Sequence, residues 1–230
     1  MSCARQGRAG PAIAALFERT LRGWHLQARL ENRVIFGALR GWVRGQVPTM
    51  RIAAAGRLGV SRTPEQLRQA FEGLPSQEML WGPLHADLHA DNVRVRDGDA
   101  ILIDFLSSRE GPLVADPAAL EASLVVSGPG DEYFDRTSWM KTVRLLYSQQ
   151  SLRKPPRAPE AHDPFAWLHA CVRQIRLYGL ALERQPGQYA IALALALLRK
   201  ALKDPNVSTA EEFRRINAYK LANTIADMHW

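Results

Sequence analysis

His85-Ala86-Asp87-Leu88-His89-Ala90-Asp91-Asn92 gathers two imidazoles, two carboxylates and one amide into eight residues, and Ile103-Asp104-Phe105 adds a further carboxylate twelve positions after Asn92. Between them lie an alternating run, Val93-Arg94-Val95-Arg96, the turn signal Asp97-Gly98-Asp99, and a second apolar run, Ala100-Ile101-Leu102-Ile103. Asp-Gly between two such runs predicts a β-hairpin. A turn over Asp97–Asp99 sets Val93 opposite Ile103 and Asn92 opposite Asp104, so the open end of the hairpin brings those two side chains together. An amide oxygen beside a carboxylate, with Asp87 upstream, suits a hard divalent cation and the phosphate that such a cation carries.

The remaining elements must hold this segment in place, and they read as helices. Ile13, Leu16, Phe17, Leu21 and Trp24, then Leu30, Val34, Ile35, Leu39 and Trp42, recur at three- and four-residue steps and predict amphipathic helices across the first eighty residues. Thr63-Pro64-Glu65-Gln66 is a helix start with a capping box, stopped by Leu74-Pro75-Ser76. After the hairpin, Asp116-Pro117 predicts an N-cap followed by the first helical residue. Ser127-Gly128-Pro129-Gly130 breaks that helix, and another is expected from Thr137 to Tyr147. The Arg153–Pro159 linker, a helix from Asp163-Pro164 to about Leu182, the apolar stretch Tyr189–Leu202 and a last helix capped by Ser208 and Glu211 complete the chain. No repeat or interdomain linker divides it. The expected architecture is one mainly helical α+β domain over residues 1–230, with its only convincing β signal in the hairpin.

The spacing of Asp87, Asn92 and Asp104 is the spacing that phosphoryl transfer uses: a loop Asp at the acceptor hydroxyl, an Asn five residues on for one Mg2+, and an Asp after the next strand bridging Mg2+ to the nucleotide phosphates. Here the sequence resembles the aminoglycoside phosphotransferase and choline-kinase-like group, whose loop runs H-G-D-L-H-x-x-N and whose metal Asp sits in I-D-F or I-D-W. It is also similar to the kinase-like domains that accompany bacterial conflict-system effectors. Asp116, Leu120 and Glu121 extend the match, which covers about residues 81–124, with the catalytic loop and metal hairpin over 81–106. Ala86 stands where that group usually has Gly, and Leu106-Ser107 where an acidic or bulky residue is commoner.

The resemblance implies the helical carboxy-terminal lobe of a protein-kinase-like fold. It implies Asp87 as the catalytic residue, Asn92 and Asp104 as Mg2+ ligands, and His85 and His89 as residues that organise the loop. ATP or GTP would be the nucleotide and a hydroxyl-bearing small molecule the acceptor. The complete enzymes of this group also have a five-stranded amino-terminal lobe with a phosphate-covering loop and a strand Lys. Residues 1–80 show no β meander and no Lys, since the five lysines are 141, 154, 200, 203 and 220. The expectation is therefore a lobe that works with a separate nucleotide lobe or a partner protein. The rival expectation is a catalytically silent kinase-like module that binds a partner or senses a ligand. A third treats His85, Asp87, His89 and Asp91 as ligands of a hydrolase metal.

Composition bounds these readings. Two hundred and thirty residues, 47% hydrophobic and 23% charged, exclude a disordered or collagen-like chain. Tyr189–Leu198, the longest apolar stretch, is about half of a membrane span. No secretory signal follows Arg5 and Arg8, so the expected location is cytoplasmic. Cys3 and Cys171 are expected as free thiols. The net charge of +7 raises nucleic-acid binding, but the arginines of the first third are spread rather than clustered, which argues against nucleic acid as a partner. Tyr133, Trp139, Tyr147, Trp167 and Tyr178 recur at helical spacing and are expected in the core rather than in an acceptor pocket.

Overall fold

The structure is a computed structural model that describes residues 6, 9–132, 134–156, 163–202 and 206–229. Cys3, Tyr133, His162, Lys203 and the end of the Arg153–Pro159 linker lie outside them. In chain order the elements are α1 (Ala9–Ala15), a π-helical turn (Leu16–Thr20), α2 (Arg22–His25), β1 (Arg29–Arg33), α3 (Ile35–Leu39), a 3-10 turn (Arg40–Val43), α4 (Thr49–Arg57), α5 (Pro64–Glu72) and β2 (Gln77–Leu84). They continue with β3 (Val93–Arg96), β4 (Asp99–Leu102), β5 (Arg109–Pro112), α6 (Ala115–Val126), α7 (Arg136–Leu146), α8 (Gln149–Arg153), α9 (Ala166–Ala181), α10 (Gln188–Leu202) and α11 (Thr209–His229). The fold is mainly helical α+β, with a small hairpin inside the candidate site.

The core forms where the sequence is apolar all round. Every residue of α6 is buried, as are Gln188–Leu198 and Ala201 of α10. Helices without a polar face must be enclosed, and α10 is: it packs on α6 and α11, while α9 also packs on α6. Two ionised groups are sealed into this core. Glu121 and Arg176 are both fully buried and pair through two bonds, Arg176 Nε to Oε2 at 2.9 Å and Nη2 to Oε1 at 2.5 Å. The Tyr189 hydroxyl donates to Glu121 at 2.7 Å, and Arg176 Nη1 also donates to the carbonyls of Leu146 and Ser151. With three bonds to the carboxylate and four from the guanidinium, the pair is tolerated where an isolated charge would not be.

The helix starts follow their caps. Thr63 Oγ1 accepts from Gln66 N while the Gln66 side chain accepts from Thr63 N, the full capping box. Ser208 Oγ accepts from Glu211 N at 3.0 Å. Asp135 caps α7 one residue earlier than expected, through Thr137 N and Ser138 N.

The sheets depart from the sequence-based expectation in two ways. First, the leading eighty residues are not all helical. β1 and β2 pair antiparallel, Arg29 with Trp81 through Arg33 with Gln77, and β5 joins the other edge of β2. The Leu30 position that fits a helical stripe is half exposed in a strand whose charged residues are held across and along the sheet: Arg29 to Glu110 and Glu31, Arg33 to Glu31 and over the Trp81 ring. Charged side chains on an edge strand guard it against further pairing.

Second, the hairpin register is shifted by one. Val93 faces Leu102 and Arg96 faces Asp99. Asp97 and Gly98 both take positive φ, 52° and 84°, the combination of a two-residue type I′ turn. Asp tolerates that left-handed backbone better than most residues, so Asp99 becomes a strand residue instead of a third turn residue. The hairpin rests on the amino-terminal helix turn, where Thr20 Oγ1 donates to the Ala100 carbonyl at 2.7 Å.

Candidate active site

The loop from His85 to Asn92 leaves β2 and is fixed from behind by α6. Asp116 is 1% exposed, and its two carboxylate oxygens accept from His85 N at 2.7 Å and Ala86 N at 2.9 Å. The expected N-cap role is therefore corrected. Val114 holds the cap position, and Asp116, the second residue of α6, turns its side chain to the loop instead of to its own helix. Burial raises the Asp116 carboxyl to about 6, against the pull of those two N–H groups. The two bonds grip a backbone that few residues adopt: Ala86 has φ of 61°, which costs an alanine about 1–2 kcal/mol relative to right-handed backbone. That conformation is the physical meaning of the Ala-for-Gly difference at this position.

His85 is fully buried, and its Nε2 donates to the Ile103 carbonyl at 2.9 Å, tying the loop to the chain just before Asp104. Its ring lies 5.4 Å from that of Phe105, which also meets Trp24. His89 caps the short turn Ala90–Asn92: its Nδ1 accepts from Asp91 N, and its carbonyl from Asn92 N. Its Nε2 stands 3.8 Å from Asp87 Oδ2.

Asn92 is 6% exposed and bonds at both ends of the segment. Its Nδ2 donates to the Asp87 carbonyl at 3.1 Å, and its own carbonyl accepts from Ile103 N at 3.1 Å. With the register shifted, Asn92 meets Ile103 rather than Asp104 across the hairpin, and Asp104 follows directly, exposed and with φ of 62°. Among the described residues the Asp104 side chain has no hydrogen bond or ion pair, and the Asn92 amide, anchored through nitrogen, keeps its oxygen for another partner. An amide oxygen and a carboxylate are hard donors, the type that Mg2+ selects, so these residues fit that ion.

Asp87 is a quarter exposed, and its Oδ1 accepts from Arg199 Nη2 at 2.8 Å. Sequence reasoning missed Arg199, which lies 112 residues downstream at the end of α10; only the tertiary packing of that helix on α6 delivers it. The hydrolase reading loses its ligand set. No three His, Cys, Asp or Glu side chains converge as metal ligands among the described residues, and His85 is committed to the Ile103 carbonyl.

The model of the phosphotransferase enzyme family APH matches residues 4–138, more than half of the chain. The chain belongs to the phosphotransferase enzyme family. That match starts well before the loop, so family character extends into the amino-terminal segment that the motif alone does not reach. No curated protein sequence matches the chain. Among solved structures, the amicoumacin kinase hAmiN in complex with AMP-PNP, Ca2+ and Ami is similar at 15% identity and a TM-score of 0.45. The alignment covers 97% of this chain, which spans 60% of that kinase.

Other sequence expectations fall outside the site. Trp139 and Tyr147 are buried in the core, with Trp167 and Tyr178 packed against it. Glu121 is the buried partner of Arg176, and Cys171 is buried and forms no disulfide. No helix among the described residues is long and apolar enough to cross a membrane.

Proposed function

We propose that this chain is the acceptor and metal lobe of a phosphotransferase that moves the γ-phosphoryl group of ATP or GTP to the hydroxyl of a small molecule. The observation that carries the reading is the double tie of Asn92, to the Asp87 carbonyl and to the Ile103 N–H that directly precedes Asp104. It couples the acceptor-side carboxylate and both metal donors in one rigid unit.

In this reading Asp87 orients the acceptor hydroxyl and receives its proton. A bond forms between the acceptor oxygen and the γ-phosphorus, the bond from that phosphorus to the β–γ bridging oxygen breaks, and a nucleoside diphosphate leaves. Asn92 and Asp104 would hold Mg2+, which supplies neutralisation of phosphate charge. Asp116, His85 and His89 keep the loop in the one backbone that presents Asp87, so the contribution of the chain is positioning. Among the described residues, β1 and β2 are the only strands before the loop. The reading accordingly assigns the phosphate-covering lobe to a further segment or a partner chain.

One observation favours the alternative of a silent binding module: Arg199 already occupies one oxygen of Asp87. Titration calorimetry with MgATP and MgGTP tests the metal and nucleotide half of the proposal. The proposal expects saturable binding that Asp104→Ala abolishes; binding unchanged by that substitution would remove Asp104 from its role.

A further inference from the structure

The cleft beside Asp87 carries more positive charge than a hydroxyl needs. Asp87, His89, Arg199 and Lys200 form its polar wall, over the small side chains of Ala119 and Ala196, and Asp87 is the one acidic residue of that wall. Arg199 is three-quarters buried, and its guanidinium lies 5.5 Å from the Trp42 ring centre. A guanidinium has five N–H donors in a rigid fork. One is spent on Asp87 at 2.8 Å, and the others have no hydrogen-bond partner among the described residues. Trp42 is 6% exposed, and its indole N–H likewise lacks a partner. A cation withdrawn from water with donors to spare, next to the group that receives the acceptor, is built to take an anion.

We infer that Arg199 is the acceptor-recognition residue, and that the acceptor carries a carboxylate or phosphate beside the hydroxyl presented to Asp87. The inference rests on the reading of Asp87 as the acceptor-side group. Arg199 does both jobs at once, because its fork can keep Asp87 on one N–H and grip the anion with the rest. An amine-bearing acceptor would meet Arg199 and Lys200 as like charges, so the same wall selects against cationic acceptors.

Four matched probes test this by NMR titration of the full chain, read at the Arg199 Nε–H and Trp42 Nε1–H signals: glycerate, glycerol 2-phosphate, glycerol and serinol. The expected order is anions first, glycerol weaker, serinol weakest. The tighter of the two anions identifies the group. Arg199→Gln should weaken the anions by about tenfold or more, and Arg199→Lys should recover part of the loss. Glycerol or serinol binding as tightly as the anions, or anion affinity within twofold of wild type in Arg199→Gln, would overturn the inference. Should Arg199→Gln fail to fold, the wild-type titration decides: a saturable Arg199 shift with either anion supports the inference, and none with both overturns it. All titrations omit Mg2+ and nucleotide, so a failure of Asp104 as a metal ligand leaves them unaffected.

Discussion

Replacing Asp116 with Asn tests whether the loop is held as described, because the substitution keeps shape and removes charge. The wild-type carboxylate accepts two buried N–H groups, at 2.7 and 2.9 Å. An amide offers one oxygen to one of them and turns an NH2 toward the other, stranding a buried donor at a cost of about 1–3 kcal/mol. Against this stands the cost of burying the ionised carboxylate. The Asp116 carboxyl rises from an ordinary 3.8 to about 6 in the fold. A raised carboxyl favours the folded state most when protonated. That contribution is fully present below about 3.8 and is lost as pH rises through about 6. Its full size is about 3 kcal/mol, and Asp116→Asn does not have it to lose.

The stability gap between wild type and Asp116→Asn should therefore be widest near pH 4 and should narrow by about 2–3 kcal/mol by pH 8. Urea unfolding followed by circular dichroism measures both proteins across that range, and titrations common to the two cancel in the difference. Amide hydrogen exchange supplies the local readout, with His85 or Ala86 expected to exchange about 5- to 100-fold faster in the variant. A gap that stays constant from pH 4 to 8, together with unaltered exchange at both amides, would refute the anchoring role of Asp116.

Two further substitutions probe the scaffold around the site. Glu121→Gln removes the charge that faces Arg176 in the core and should cost about 3–5 kcal/mol, because the guanidinium stays buried without its counter-ion; unfolding in urea checks it, and a loss under 1 kcal/mol would count against the pair as drawn. Gly179→Ala puts a methyl group into the Tyr189 ring, 2.5 Å from Cδ2, and should destabilise by about 1–3 kcal/mol with a matching fall in melting temperature; an unchanged melting temperature would mean that α9 and α10 pack more loosely than described.

Much of this site is legible in the primary structure, for physical reasons that differ by residue. Asn92 ties to the Asp87 carbonyl and to Ile103, next to Asp104, because a hairpin is local: eleven intervening residues, with Asp-Gly in the middle, can close only a few ways. Even so the register slipped by one, since Asp97 accepts positive φ and lets two residues do the work of three. β1 was hidden because Arg-Leu-Glu-Asn-Arg is polar, exposed and held by ion pairs to β5 and along its own strand, none of which leaves a periodic apolar trace. Asp116 looked like a cap because Asp-Pro at a helix start usually is one; its true partners are backbone N–H groups thirty residues upstream, and backbone carries no sequence signature. Arg199 was invisible for a similar reason. A basic residue at the end of an apolar helix suits the helix dipole equally well, and only the packing of α10 brings it to Asp87.

The central claim is that Asp87 serves phosphoryl transfer from a nucleotide held through Asn92 and Asp104, and release of inorganic phosphate from ATP or GTP tests it most directly. Assayed together with the segment or partner that supplies the phosphate-covering lobe, the wild-type chain should give Mg2+-dependent release that Asp87→Asn lowers by about 100-fold or more, with nucleotide affinity retained. No release above the protein-free rate, or equal release by Asp87→Asn, would contradict it.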